Sequence, residues 1–476
     1  LASLLILSFP FVFHLILHEN KKWKAAAISC MCLIIISLAL IQSKNAFIAF
    51  SIFGISCFVL LKSFKVIKYF LFGFGLVFII YLTNEPLKNN FIKDYKKIES
   101  LINKVDALQN FERVRLYRNS IKMFIDSPII GVGPGNWKIY FPSYGLKNSI
   151  GEKGVKFALR PHSDFLLYFS EGGIIAGVLF ILLFYLIIKK SRMIINTSVG
   201  SEKVFFCIYL STILSYVWLT AFDFPNEKPL HLFLFAILTA YLIHENKGST
   251  SQKKTNYLFS GSLIIISFFS MYISYMNYNG SKYISSIINN RINRNWSQLV
   301  INADKSLKFG NIFDHTGTPL YWYTGLSYFN QNKIIKAKEN FLKSYKIHPN
   351  HIHVLNNLAV SISKSNSTKS LELLEKCNNI SPRFEECSIN LSKIYNSKKN
   401  YEKSLDCLLK TINTNNDTEN DFSTQFYEQS LHTLNFLYLS YYGRSFGYEF
   451  DKKELFSYLL YICEQRKFNK PFKQSL

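Results

Sequence analysis

The sequence predicts an all-α protein in two parts: a polytopic α-helical membrane bundle, followed by a solenoid of helical hairpins. Three observations predict it. The chain of 476 residues is 49% hydrophobic and 16% aromatic, too apolar for an ordinary soluble enzyme. It is also 18% charged, with a net charge of +24, which is too charged for a membrane bundle alone. The composition shifts near Tyr278, from long apolar runs to paired helical stretches with recurring small and aromatic positions. The basic excess is spread over loops between apolar runs. It therefore does not point to nucleic acid, and anionic lipid headgroups or phosphate-bearing substrates fit it better.

The apolar segments are 1–18, 25–41, 46–61, 69–82, 165–188, 204–222, 229–244 and 257–276. Several fall short of the roughly 20 residues an upright span needs, and tilt or flanking aromatics make up the difference. Alternate threading leaves the short Lys/Arg-rich loops 19–24, 62–68, 189–203 and 245–256 on one side, which is the cytoplasmic one. The other side receives 42–45, the long 83–164 loop, 223–228 and everything after 276. The expected divisions are transmembrane helices over 1–82, an extracytoplasmic loop with the candidate site over 83–164, transmembrane helices over 165–276, and extracytoplasmic helical repeats over 277–476. The chain opens at Leu1, already inside an apolar run and with no signal peptide, so an N-terminally truncated membrane region is expected.

Ionisable groups gather at the mouth of one apolar run. Arg160-Pro161-His162-Ser163-Asp164 stands directly before Phe165, and Glu171 lies two helical turns deeper. Charge is costly at such a depth, so these residues are functional candidates. Asp164 is expected to cap the helix starting at Phe165. Glu171 either pairs with a neighbouring span or orients His162. Upstream, the turn Gly131-Val132-Gly133-Pro134-Gly135 ends a helical stretch expected over Leu101 to Asp126, with apolar spacing at Leu108, Phe111, Val114, Tyr117, Ile121 and Phe124. On that stretch Arg113, Arg115 and Arg118 form either a solvated basic surface or an anion clamp. Lys44, in a tight turn between two spans, is either a snorkelling anchor or points into the same cavity as His162.

The eight cysteines make no Cys/His metal spacing. Cys30, Cys32, Cys57 and Cys207 read as packing residues. A disulfide among Cys377, Cys387, Cys407 and Cys463 is open if their region faces an oxidising compartment.

After Asn279, Tyr321, Gly325, Tyr328, Ala337, Phe341 and Pro349 fall at fixed positions of a unit starting at Thr318. The pattern resembles a tetratricopeptide repeat, whose small residues let two helices pack closely. Weaker units follow from about 352 and about 385, and a degenerate one precedes them around Trp296 to Phe309. Helices over 423–442 and 453–466 are expected to cap the array. Such arrays bind peptides or partner proteins on a concave face; the alternative is an appendage that packs on the membrane part.

The stretch 113–179 resembles the signature region of the O-antigen ligase family, bacterial membrane glycosyltransferases that join lipid-linked glycans to an acceptor. The matching elements are Arg113 and Tyr117, then Pro128-Ile-Ile-Gly131-Val-Gly133-Pro-Gly135-Asn-Trp137, His162-Ser163-Asp164-Phe165-Leu166 and Glu171-Gly172-Gly173-Ile174. Ser43-Lys44-Asn45-Ala46 resembles an upstream family motif, with lysine in place of arginine. Asp223-Phe224-Pro225 resembles a short extracytoplasmic turn of the family. Tyr117 stands where tryptophan is usual. The resemblance covers roughly 40–245 and is shared by ligases and polymerases.

The resemblance implies a GT-C-like membrane fold in the bacterial inner membrane, no cofactor and no required metal. It implies a donor glycan on a polyprenyl diphosphate such as undecaprenyl diphosphate, and a lipid or protein acceptor whose hydroxyl displaces the lipid diphosphate. His162 suits removal of the acceptor proton, which contributes about 10²–10⁴-fold when the base is positioned. Arg113, Arg160 and Lys44 suit the diphosphate, because cations that bind a leaving group more tightly as charge develops lower the barrier. Glu171 is a second candidate for the catalytic set, with Asp164, Gly131, Gly133 and Gly135 supporting. Competing readings are a surface-polysaccharide polymerase of the same family and a non-enzymatic membrane scaffold that works through its repeats.

Overall fold

The computed structural model describes residues 2–18, 21–41, 44–63, 68, 72–73, 75, 112–147, 149, 151–244, 257–414, 417–447, 449–467 and 470–476. The expected apolar segment 69–82, the helical stretch from Leu101 to Phe111 and the basic loop 245–256 lie wholly or mainly outside the described residues. Apart from one isolated bridge between Phe313 and Pro319, the regular elements among the described residues are helices. The protein is all-α. It divides into two units, Leu1–Trp137 with Arg160–Lys253, and Lys138–Leu159 with Lys254–Leu476.

The first unit contains α1 (Ala2–Leu7), α2 (Phe9–His18), α3 (Lys21–Ile41), α4 (Lys44–Leu61), α5 (Glu112–Asp126), α6 (Asp164–Thr197), α7 (Gly200–Phe222) and α8 (Pro229–His244). The single segment expected over 1–18 is two helices that part at Ser8. Pro10 has no N–H to donate there, and the Ser8 hydroxyl donates back to the Leu5 carbonyl at 2.6 Å.

Two helices, α6 and α7, are long and apolar enough to cross a membrane among the described residues; α4 and α8 contain shorter apolar runs. α7 is the centre of the unit: most of its apolar length is buried, whereas most of that of α6 is not. Phe206, Tyr209, Ile213 and Tyr216 bury one side of α7 among α6 and α8. Ile208 and Leu219 join a second cluster with α2, α3 and α4, built on Phe9, Phe13, Phe50 and Phe53. α6 leaves Ile175, Val178, Leu179 and Ile181 exposed, the surface expected of a helix at the rim of a bundle.

The second unit opens with α9 (Tyr257–Ile292), which runs through residue 276 without a break, so the expected division at 276/277 falls inside a helix. α9 pairs with α10 (Trp296–Lys308). Three hairpins follow: α11 (Leu320–Asn330) with α12 (Ile334–Ile347), α13 (Ile352–Ile362) with α14 (Ser367–Ile380), and α15 (Glu385–Ser397) with α16 (Tyr401–Leu409). Gly325 lies against the Phe341 ring, where an added Cβ would come within 2.6 Å of it. α17 (Thr424–Tyr442) and α18 (Lys452–Lys467) close the array. All eight cysteines are free thiols, so no pairing joins Cys377, Cys387, Cys407 or Cys463.

Candidate active site at the mouth of α6

The Gly-rich turn is seated on α6 by its backbone. Val132 and Gly133 donate to the carbonyls of Ser170 and Glu171 at 3.0 and 2.8 Å, and Ile174 donates to the Pro128 carbonyl at 2.8 Å. Two glycines permit this approach. Gly131 (φ 65°) would place a Cβ 2.4 Å from the Glu171 carbonyl carbon, and Gly173 (φ 65°) would place one 2.2 Å from the Ile129 oxygen. Gly173 also breaks the helical geometry inside α6, which frees backbone groups to pair with the turn. The Glu171-Gly172-Gly173 motif thus forms a break within the helix that began at Asp164.

Glu171 is engaged by this turn. Its Oε2 accepts from the Gly135 amide at 2.8 Å and its Oε1 from the Trp137 amide at 2.9 Å. Trp137 is fully buried, and its indole N–H donates to the Ser120 hydroxyl on α5 at 2.9 Å. Both oxygens of Glu171 thus accept from the turn's backbone. Gly133 and Gly135 also take positive φ, at 92° and 76°.

His162 adopts a left-handed backbone (φ 58°), uncommon for a residue with a side chain. Its carbonyl accepts from the Tyr117 hydroxyl at 3.1 Å. Its ring meets Phe224 edge-on at 5.0 Å between centroids. Its Nδ1 is buried and has no hydrogen-bond partner among the described residues. Burial, and next the charge of Arg113, hold the imidazole below its ordinary pKa, with Asp223 opposing and Arg160 adding. The ring is therefore neutral near pH 7. Burial also raises the Tyr117 phenol, against the pull of Arg113. Arg113 itself is exposed on α5.

Asp164 does not cap α6. Ser163 does, its hydroxyl accepting from the Leu166 amide at 3.3 Å, and the helix starts one residue earlier than expected. Asp164 is buried, and its carboxylate accepts from the Asn226 amide at 3.1 Å while its own amide donates to the Asp223 carbonyl at 3.2 Å. These bonds staple the mouth of α6 to the turn after α7. Arg160, expected to be free for a diphosphate, forms an ion pair with Glu227 and stacks 4.5 Å from the Phe224 ring. Lys228 approaches the same ring at 5.3 Å. Phe224 thus gathers His162, Arg160 and Lys228 around one aromatic ring. Lys44 begins α4, and its side chain lies outside the described residues. Its neighbour Asn45 donates to the Phe222 carbonyl at 2.9 Å, which ties that turn to the end of α7.

The structure therefore brings together Tyr117, Arg160, His162, Asp164 and the Asp223–Lys228 turn. It sets Glu171 on the Gly turn. Asn226, Glu227 and Lys228 were not singled out from sequence. The available signal was the polar cluster directly after Asp223-Phe224-Pro225, between two apolar runs.

Residues 25–181 match the family model described as O-Antigen ligase. The chain carries an O-antigen ligase domain. The match includes Lys44, Arg113, His162, Asp164 and Glu171, while the Asp223–Lys228 turn and the repeats lie beyond it. No curated protein matches the chain. O-antigen ligase domains belong to inner-membrane, glycosyltransferase-type proteins that handle lipid-linked glycans, and α6, which begins inside the match, and α7, which follows it, are long and apolar enough to cross a membrane.

Proposed function

We propose that the protein moves a glycan from a polyprenyl diphosphate to an acceptor hydroxyl on the extracytoplasmic side of the membrane. The observation that carries this reading is His162: a neutral imidazole with a buried, unpaired Nδ1, held on a strained backbone beside Arg113. A buried polar atom without a partner calls for a functional explanation, and here a substrate hydroxyl supplies it.

In the reaction the acceptor oxygen forms a bond to the anomeric carbon as the bond to the diphosphate oxygen breaks. The electron pair leaves with the diphosphate, and the acceptor proton passes to His162. Direct displacement inverts the anomeric centre. Arg113 is the exposed cation of the set, and its charge faces the growing negative charge of the leaving group. Lys228 and Lys44 add point charges. Arg160, paired with Glu227, shapes the Phe224 turn. The acceptor is a lipid or a protein. The open groove lined by Leu326, Phe329, Asn356, Val360, Asn390 and Gln425 is the face on which the repeats receive a polypeptide, its amide side chains suited to an extended main chain.

The test is complementation of a deletion strain with wild type, His162→Ala or Arg113→Ala at matched protein levels, reading glycan on lipid, protein and polyprenyl carriers. Ligase activity predicts that both variants accumulate lipid-linked glycan, with acceptor glycosylation lost in His162→Ala and reduced in Arg113→Ala. Shortened chains on the carrier would assign a polymerase instead. Variants indistinguishable from wild type would sink the assignment of the site.

A further inference from the structure

Residues 138–159 lie between the two parts of the ligase motif, after Trp137 and before Arg160, and they belong to the unit built from the repeats. Their main chain is held as a ligand's would be. The Leu146 amide donates to the Ile380 carbonyl at 2.7 Å. Asn350 donates to the Ile139 carbonyl at 3.3 Å, His353 Nε2 donates to the Gly154 carbonyl at 2.7 Å, and the Ser381 hydroxyl donates to the Glu152 carbonyl. Four repeat residues thus read backbone groups spread over most of the segment.

Side chains complete the seam. Glu152 is buried (3% exposed) and pairs with Arg383 at 3.4 Å, while the same guanidinium grips both oxygens of Asp417 at 2.6 and 2.7 Å. A buried carboxylate stripped of its cation is strongly disfavoured, so this pair selects one register. Lys153 reaches Asp417 at 3.5 Å from the segment's side. Phe157 packs at a tilt against His351, 4.8 Å between ring centroids, and Phe141 and Leu146 are buried. Gly154 (φ 77°) fits where a Cβ would stand 3.0 Å from both His353 and Phe384.

Resting on the function proposed above, we propose that the helical repeats clamp residues 138–159 as an internal ligand, and that Arg383 and Glu152 are positioning residues for the ligase site. Chain continuity transmits the restraint. One end of the clamped segment is bonded to Trp137, whose amide Glu171 holds, and the other to Arg160, two residues before His162. Unclamped, the residues between these two held ends would have no fixed path, and the strain of a wandering connection would fall on Trp137 and Arg160.

The test uses the full-length protein in membranes, with Arg383→Ala and Gly154→Val as two independent ways to unseat the segment. Amide exchange over 138–159 reads the clamp. Donor-dependent kcat and its pH profile read the site. The expected result is faster exchange confined to the segment, a fall in kcat of about 100-fold, as a misplacement of about 1 Å produces, and an acidic limb moved up toward that of an ordinary histidine. Released segments with unchanged kcat and pH limb would overturn the positioning role. Unchanged exchange in both variants would overturn the clamp. A wild-type chain that transfers no glycan would defeat the functional reading separately, and exchange in Arg383→Ala would still decide whether the repeats hold the segment.

Discussion

The carboxylate of Glu171 holds the amide of Trp137 at 2.9 Å while its other oxygen holds that of Gly135, so an acid on a kinked helix fixes the Gly-rich turn. Hydrogen bonds to a charged group contribute about 1.5–3 kcal/mol each. Glu171→Ala should release the turn and lower kcat by about 100-fold without preventing membrane insertion. Glu171→Gln, which keeps one acceptor, should fall between, with the acidic limb of the pH–rate profile unmoved. A displaced limb in the glutamine variant would instead assign Glu171 a proton-transfer role.

The charge of Arg113 acts on His162, and that makes the pH dependence directional. His162 works as a base only when neutral, and its pKa lies below the ordinary value. Activity should therefore persist as pH falls through about 6.5, the usual histidine value, and be lost only at lower pH. Arg113→Ala removes one depressing influence, so the limb should move up. Asp223→Asn removes an opposing one, so the limb should move down. Rate profiles of kcat/KM across the acid range decide both. Shifts in the same direction would show that charge does not set this pKa.

Much of this site was legible in the sequence, and the remainder follows a physical pattern. The Gly turn, His162 and the helix mouth announce themselves by local composition, and Gly325 against Phe341 follows from helical spacing. Long-range partners leave no such trace. Arg160 and Glu227 are far apart along the chain, and nothing local to either says that they pair. The commitment of Glu171 to backbone amides was invisible because an amide has no identity in a sequence. The break at Gly173 was hidden because paired glycines also suit close packing of membrane helices. The capping of α6 shifted by a single residue, since Ser163 and Asp164 are both good caps and tertiary bonding to Asn226 chose between them.

The Arg160–Glu227 pair predicts non-additivity. If the pair shapes the Phe224 turn, Arg160→Ala and Glu227→Ala should each lower kcat/KM by similar factors, and the double variant should be little worse than either. Coupling between groups in direct contact runs to about 0.5–3 kcal/mol, or roughly 2- to 150-fold in rate. A Glu227→Ala variant with lowered donor KM would show instead that Arg160, once freed, binds the diphosphate.

Steric fit at the turn predicts a sharp dependence on glycine. Gly131→Ala and Gly173→Ala each force a Cβ into backbone and a left-handed conformation on an L residue. Backbone strain of this kind costs about 1–3 kcal/mol, and the clash adds to it. Both variants should expose the turn to exchange from Pro128 to Trp137 and lose transfer. Gly135→Ala meets no neighbouring atom within 4 Å and should bear only the conformational penalty. Exchange and transfer measured for the three variants should rank Gly135→Ala mildest, and any other order would mean that the turn is not seated on α6 in this way.

Acid should weaken the repeats before it weakens their individual helices. His348 is buried, and its pKa is pushed down to about 3, chiefly by burial and then by Lys138. His351 and His353 are also lowered, burial again leading. All three are neutral when folded, so the unfolded chain takes up protons first. Their stabilising contribution is complete above the unfolded value of about 6.5 and is lost as pH falls toward the folded values. His348, with its folded value at about 3, contributes about 1.4 kcal/mol per pH unit, or roughly 2 kcal/mol between pH 6.5 and pH 5. Thermal unfolding of the purified chain should therefore shift to lower temperature at pH 5 than at pH 7. His348→Gln should reduce that shift. Melts that do not depend on pH would place these histidines in contact with solvent.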